Sequence, residues 1–234
     1  MSRLIPIALL ATLVQAAPLP PDFAAACANF RAENPRGWSF TQTTTAEGRT
    51  LVERCDAARP EFSRWSLVAQ DGRPPRPQET ANYNEMRSRR SRGGTAPHIA
   101  SQLDLASAEL VNRSSTESVY RFKLLRESSG DRTAGHLRAT LTFHHPTGTI
   151  RRFELSNQEP FSPVLGVRIR EMHTSIHYHL PEDGRPALLE KILTRTRGRA
   201  YFKSLDADME VTFTDYAPAR GPSRAGADPP RKAD

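Results

Sequence analysis

Most of the chain alternates between apolar and polar residues, which is the pattern of a β-strand with one buried face. From Leu137 to Phe143 the apolar residues fall on every second position, with polar residues between them. Similar alternation recurs from Trp38 to Tyr216 in nine to eleven segments, and short turns such as Glu47-Gly48 separate them. Because short turns join antiparallel neighbours, the pattern predicts one antiparallel sheet.

Two segments have helical composition and spacing instead. Pro20 to Glu33 repeats Phe23, Cys27 and Phe30 at helical spacing, and Gln78 to Arg90 is the second helix candidate. A sheet of so many strands must curve or close to protect its edges. We therefore predict a mainly β fold: a single strongly curved antiparallel sheet, or incomplete β-barrel, of about nine to eleven strands with the two helices over its concave face.

The apolar positions change phase within one long segment. Between Val164 and Leu180 they are odd-numbered up to Ile169 and even-numbered from Met172 onward. One extra residue in a strand produces such a change of face. The pattern predicts a β-bulge near Arg170-Glu171.

The two ends of the chain differ from the part between them. Arg3 precedes an apolar run from Leu4 to Val14, and small residues flank a cleavage point after Ala16, as in a secretory signal peptide. The last residues, from Ala217 onward, are rich in Pro, Gly, Ala and Arg. We predict a signal peptide at 1–16, one domain at 17–216, and a disordered tail at 217–234, and hence an exported protein that does not span the membrane.

Charge and motifs limit the chemistry. The formal net charge is +7, and the densest basic run extends from Arg87 to Arg92. This run is interpreted either as a solvated loop or as a contact for an anionic partner. Anionic lipid is then favoured over nucleic acid, because the run has no aromatic residue for stacking on bases. No phosphate loop, GxGxxG, GxSxG or HExxH motif occurs. We expect a non-enzymatic protein with no catalytic residues and no cofactor; the alternative is an enzyme whose catalytic groups are dispersed in the sequence and meet only in three dimensions.

The chain has two cysteines, Cys27 and Cys55. In an exported protein an isolated pair predicts a disulfide. It would close a loop of about 29 residues, worth on the order of 3–4 kcal/mol by the loop-entropy model.

Histidines cluster in two of the predicted strands: His144, His173, His177 and His179. The last three have the same parity and therefore share a face of one strand. We do not expect a metal site and interpret these histidines as part of a solvated polar face. The alternative is a Zn²⁺ or Cu²⁺ site that takes a further ligand from a neighbouring strand.

Large apolar residues point to the opposite, inward face of the predicted sheet. A curved sheet could leave a cavity for an acyl chain between them, or they could simply form the core. The candidate ligand-binding residues are Trp38, Phe40, Trp65, Leu67, Phe122, Phe143, Phe153, Met172, Tyr178 and Phe213.

Short sequence motifs accompany this layout. After the Trp38-Ser39-Phe40 strand come Arg54-Cys55-Asp56, Arg64 to Leu67 and Asp71 to Pro74, and Glu159-Pro160-Phe161 precedes the long strand. In these features the chain resembles the periplasmic lipoprotein-carrier-like (LolA/LolB-like) superfamily of Gram-negative bacteria, over about residues 22–216.

The resemblance implies an incomplete antiparallel barrel that is covered by helices and accommodates acyl chains, in a Gram-negative periplasm. It also makes Arg54 and Arg59 candidates for an arginine that contacts a helix. We therefore expect a non-enzymatic periplasmic monomer that binds a lipid or other hydrophobic ligand and does not bind nucleic acid. The alternative is an envelope module that fills its barrel with its own side chains and contacts a protein partner.

Overall fold

A computed structural model describes residues 19–30, 36–90, 99–125 and 133–219 of the protein. The helices are α1 (Pro21–Asn29) and α2 (Pro77–Arg90). The strands are β1 (Trp38–Ala46), β2 (Arg49–Cys55), β3 (Trp65–Gln70), β4 (Leu103–Arg113), β5 (Glu117–Leu124), β6 (Leu137–His144), β7 (Thr149–Asn157), β8 (Val167–His179), β9 (Leu188–Ala200), β10 (Lys203–Ser204) and β11 (Ala207–Pro218).

All eleven strands belong to one antiparallel sheet with the order β3-β2-β1-β11-β9-β8-β7-β6-β5-β4, and β10 pairs with β9. The sheet does not close, since β3 and β4 lie at its two ends. The predicted mainly β fold with an incomplete barrel and two helices is therefore confirmed. Consecutive strands are neighbours nearly throughout, as short turns require. The exceptions are β3 and β4, which lie at opposite ends of the sheet, and β11, which inserts between β1 and β9.

Turn chemistry fixes the first hairpin. Glu47 and Gly48 connect β1 to β2 with φ values of 51° and 74°. Two consecutive positive φ values are typical of the tight turn whose twist matches antiparallel strands, and glycine adopts them without steric cost. The turn sets the register in which Ala46 pairs with Arg49.

The predicted bulge in the long strand is confirmed. In β8, Ile169 pairs with Gly198 and Glu171 pairs with Arg197, so that Arg170 is the extra residue. The bulge moves the following residues into the other phase, which keeps Ile176 and Tyr178 on the buried face.

Buried side chains form a large cluster and a small one. The large cluster joins α1 to the inward residues of β1, β2, β4 to β9 and β11. The small cluster consists of Leu137, Phe161 and Ile169. The apolar face of the sheet is thus the core of the domain, and α1 lies on it.

The predicted ends of the domain lie mostly outside the described residues. This holds for the signal peptide, and for the tail beyond Ala219. Strand β11 ends at Pro218 and so includes the first two residues of the predicted tail, because Ala217 and Pro218 pair with Ser39 and Trp38 of β1. Neither of the two described helices is long and apolar enough to cross a bilayer.

Candidate functional site

Helix α1 contacts the apolar face of the sheet through aromatic rings. Phe23 stacks on Tyr120 of β5 with ring centroids 4.3 Å apart, and it meets Phe143 of β6 edge-on at 5.4 Å. Phe30, which directly follows α1, meets Tyr178 of β8 edge-on at 5.4 Å. Phe23 has no exposed surface. The rings of Phe23 and Phe30 therefore cover the aromatic face of β5 to β8.

The helix owes its conformation to this contact. Pro21 occupies its first turn, where proline is compatible with a helix, but the element is only nine residues long. Helices of this length are marginal when isolated in water, so tertiary packing supplies most of their stability. The helical spacing of Phe23, Cys27 and Phe30 aims all three side chains at the sheet.

Six of the ten candidate ligand-binding residues belong to the large buried cluster that includes the side chains of α1. Trp65 is half-buried and packs against the large cluster, whereas Met172 packs against the small one. Trp38 and Leu67 are half-buried outside both clusters. Buried within the large cluster are Phe40, Phe122, Phe143, Phe153, Tyr178 and Phe213.

Sequence reasoning omitted three rings from the site. Tyr120 is in phase with Phe122 on β5, so alternation alone could have included it. Phe23 and Phe30 were recognised as a helical face, but no local signal tells which part of the sheet that face covers.

The structure does not confirm the predicted disulfide. Cys27 of α1 and Cys55 of β2 belong to the same buried cluster, and both are free thiols. Burial raises the pKa of Cys27 from 9.0 to about 12 and also raises the pKa of Cys55. The thiolate is the form that undergoes disulfide exchange, so this burial disfavours the reaction.

Helix α2 is held on the sheet by a polar contact. Glu53 of β2 is only 4% exposed, and its carboxylate accepts hydrogen bonds from the Tyr83 hydroxyl and the Gln42 amide, both at 2.9 Å. The Arg87 guanidinium pairs with the same carboxylate and lies 4.1 Å from the centroid of the Trp65 ring. Burial, followed by the charge of Glu53, raises the pKa of Tyr83 to about 12.

The first residue of the basic run, Arg87, therefore fits neither interpretation. Arg87 belongs to α2 and is an ion-pair partner, because its side chain points back at Glu53. The side chains from Arg89 to Arg92 lie outside the described residues. The two arginines suggested by the resemblance bind elsewhere: Arg54 donates to Thr41 and to the Asp215 carbonyl, and Arg59 pairs with Asp56. Helix α2 is instead joined by ion pairs to Glu53 of β2, through its own Arg87, and to Arg73, through its own Glu79.

The histidines do not form the alternative metal site. Across the strands His177 is paired with Arg152 and Lys191, and His173 with Ser156 and Arg195, so cations occupy positions where further ligands would be needed. In the described part of the chain no three His, Cys, Asp or Glu side chains come together as a possible metal site. The described residues therefore give no support to the Zn²⁺ or Cu²⁺ alternative.

The histidines make ordinary polar contacts instead. His144 bonds to Thr147 at 2.9 Å, and His177 bonds to Ser175 at 2.8 Å. Burial and the nearby Arg152 lower the pKa of His177 below its usual value. His179 lines an open cavity of about 490 Å³ where β11 separates from β9.

Most of the residues that line this cavity are charged or polar. The two strands stop pairing after Lys191 and Thr212, and beyond that point the Tyr216 hydroxyl donates a 2.7 Å hydrogen bond to the Leu189 carbonyl. Of the candidate ligand-binding residues, Phe213 reaches this cavity.

Comparison with known proteins gives one similarity. No family model matches the chain, and no curated protein matches it. Among solved structures the chain is similar to a crystal structure described as an outer membrane lipoprotein-sorting protein domain from Vibrio parahaemolyticus. The similarity covers 87% of this chain and 93% of that one, with 8% sequence identity and a TM-score of 0.38.

Proposed function

We propose that the protein is a non-enzymatic periplasmic protein that binds a lipid or another hydrophobic ligand on the apolar face of its sheet, beneath α1. One observation carries the proposal. The aromatic face of β5 to β8 is covered by a single nine-residue helix, α1. The side chains that α1 buries against the sheet are Phe23 and Cys27, and Phe30, which directly follows the helix, is buried as well. A ligand would bind by taking the place of these side chains.

The free energies of burial allow an acyl chain to displace these side chains. Full burial of a phenylalanine side chain contributes about 1.5–3 kcal/mol, and each buried methylene of an acyl chain contributes about 0.8 kcal/mol. About four to eight methylenes therefore match the two phenylalanines, and a common fatty acyl chain has more. The net charge of +7 favours a ligand with an anionic headgroup.

A second function is favoured by the packing itself. Phe23 is 0% exposed and Phe122 is 1% exposed, so the face is already filled by the protein's own side chains. An envelope module that contacts a protein partner and carries no ligand would have the same core. The two functions differ in what happens when the rings of α1 are removed.

The decisive experiment compares ligand binding in two cavity variants. Phe23→Ala removes a ring of α1 from the aromatic face. Leu188→Ala is the matched control, because Leu188 is also 0% exposed but lies outside the cluster that α1 covers. Native mass spectrometry of protein purified without detergent detects bound lipid, and titration with oleate measures its affinity.

We expect the wild-type protein to bind oleate and Phe23→Ala to bind it more tightly, because the ligand no longer displaces a ring. Oleate should then raise the unfolding midpoint of Phe23→Ala by mass action more than it raises the midpoints of the wild type and of Leu188→Ala, which should respond alike. If neither the wild type nor Phe23→Ala binds oleate or lipid, the protein-filled module is the correct function.

A further inference from the structure

Four large apolar side chains are exposed together at one end of the sheet. Val164 and Leu165 lie in the loop before β8, and Tyr201 and Phe202 form the turn between β9 and β10. Leu165 is 93% exposed and Phe202 is 97% exposed. We call these four residues the apolar tip. Single exposed apolar residues are ordinary, but a contiguous group of them marks an interaction surface.

Backbone contacts hold the two halves of the tip together. The amide of Tyr201 donates a 2.7 Å hydrogen bond to the Gly166 carbonyl, and Val167 pairs with Ala200 beside it. Gly166 has a φ of +82° and lies so close to the Tyr201 ring that a Cβ would be 2.5 Å from ring atom Cε1. The tip is therefore one surface built by two elements.

Basic residues flank the tip. Arg168 and Arg199 are directly paired across β8 and β9, both are exposed, and Lys203 follows Phe202. Within the described residues none of these three side chains has an ion-pair partner. Like charges placed directly opposite each other destabilise a sheet, so this pair does not serve the stability of the fold.

The acidic residues nearby are engaged with other arginines. Asp208 pairs with Arg197 and Arg195, and Asp206 lies 3.6 Å from Arg170. The excess charge beside the tip is consequently positive.

We propose that the apolar tip inserts into the surface of an anionic lipid bilayer, with Arg168, Arg199 and Lys203 contacting the phosphates of the headgroups. Aromatic and leucine side chains are suited to the headgroup boundary, and basic residues beside them are attracted to anionic lipids. This inference goes beyond the ligand site beneath α1 and does not depend on it.

Sedimentation with vesicles tests the proposal. The full protein is mixed with vesicles of phosphatidylethanolamine and phosphatidylglycerol, and separately with vesicles of phosphatidylcholine alone. We expect it to bind the anionic vesicles, to bind them more weakly as salt is raised, and to bind the neutral vesicles far less.

Variants locate the contact. Leu165→Asp and Phe202→Asp should each reduce binding about tenfold or more, and Phe202→Trp should retain it. The matched control is Phe62→Asp, because Phe62 is 87% exposed and precedes β3 at the opposite end of the sheet. These residues are exposed, so the substitutions leave the fold intact.

The basic residues are tested in the same way. Arg168→Gln and Arg199→Gln should each weaken binding about fivefold. The exposed Arg113, at the opposite end of the sheet, provides the control Arg113→Gln, which should bind as the wild type does.

The proposal would be overturned if the protein did not bind anionic vesicles, or if Phe62→Asp lost as much vesicle binding as Phe202→Asp does. It would also be overturned if the protein formed a dimer in solution that Phe202→Asp abolishes, while vesicles remain unbound. The last result would make the tip an interface between two copies of the chain. The oleate titration should be unchanged in every tip variant, so failure of the membrane contact is distinguishable from failure of the ligand site.

Discussion

Glu53 of β2 accepts a 2.9 Å hydrogen bond from the hydroxyl of Tyr83 on α2, thirty residues later in the chain. The same carboxylate pairs with Arg87 one helical turn further along α2. Helix α2 has few apolar residues, and Tyr83 is the one large side chain that it buries among those described. A buried polar contact, and not an apolar stripe, therefore fixes α2 on the sheet.

Glu53→Gln should destabilise the protein. The Glu53 side chain is 5% exposed and that of Arg87 is 23% exposed, so the substitution takes the carboxylate charge away from a largely buried cation. Removing one partner of a fully buried pair costs about 3–5 kcal/mol, and the residual exposure of Arg87 places the expected loss nearer 2–3 kcal/mol. Denaturant unfolding followed by circular dichroism measures it. The control is Glu79→Gln, which breaks the more exposed pair with Arg73 and should cost less. Equal losses in the two variants would contradict the buried contact.

Both cysteines should react slowly with thiol reagents in the native protein. A rise in the pKa of Cys27 from 9.0 to about 12 lowers its thiolate fraction about a thousandfold at pH 8, and burial also blocks access. Reaction with dithiobis-nitrobenzoate, after reduction and desalting, should be slow in buffer and should give two thiols per chain in denaturant. Fast labelling of the native protein would contradict the burial of Cys27.

The stability contributed by His177 should depend on pH. Its pKa is lowered in the folded protein by burial and by Arg152, so the unfolded chain takes up the proton first as pH falls. This contribution is fully present above the unfolded pKa of about 6.5 and is lost as pH falls through the lower folded value. His177→Gln should therefore lose less unfolding free energy than the wild type between pH 7.5 and pH 5. Parallel losses in the two proteins would show that His177 does not titrate in this range.

Gly198→Ala should loosen the pairing of β8 with β9. A Cβ at this position would lie 2.7 Å from the Arg168 carbonyl oxygen and 3.3 Å from Cδ1 of Ile169. Because the nearer atom belongs to the backbone, the strands must separate, and overpacking of this kind costs about 1–3 kcal/mol. Thermal unfolding measures the loss. Amide hydrogen exchange should be faster in Val167 to Glu171, and unchanged protection there would contradict the close contact.

Local pattern predicted the fold well. Alternation placed Leu137, Ala139, Leu141 and Phe143 on the buried face of β6, and all four are buried there. The change of phase in β8 located its bulge at Arg170. These properties depend on neighbouring residues of one strand, so the order of side chains along the chain determines them.

The candidate site could be predicted only in part. Six of the ten proposed ligand-binding residues share one buried cluster, because their inward direction follows from alternation. Alternation does not say which inward residues meet a helix, so Met172 falls in the smaller cluster and the rings of Phe23 and Phe30 were not assigned to the site.

The sequence by itself determined the strands, the turns, the bulge and the inward faces, since each follows from the spacing of residues close together in the chain. Only the tertiary structure decided which distant groups meet. It placed Phe23 on Tyr120, buried Glu53 against α2, and brought Leu165 and Phe202 to one exposed tip. These contacts depend on the order and register of the strands and on the packing of the helices, which no local pattern encodes.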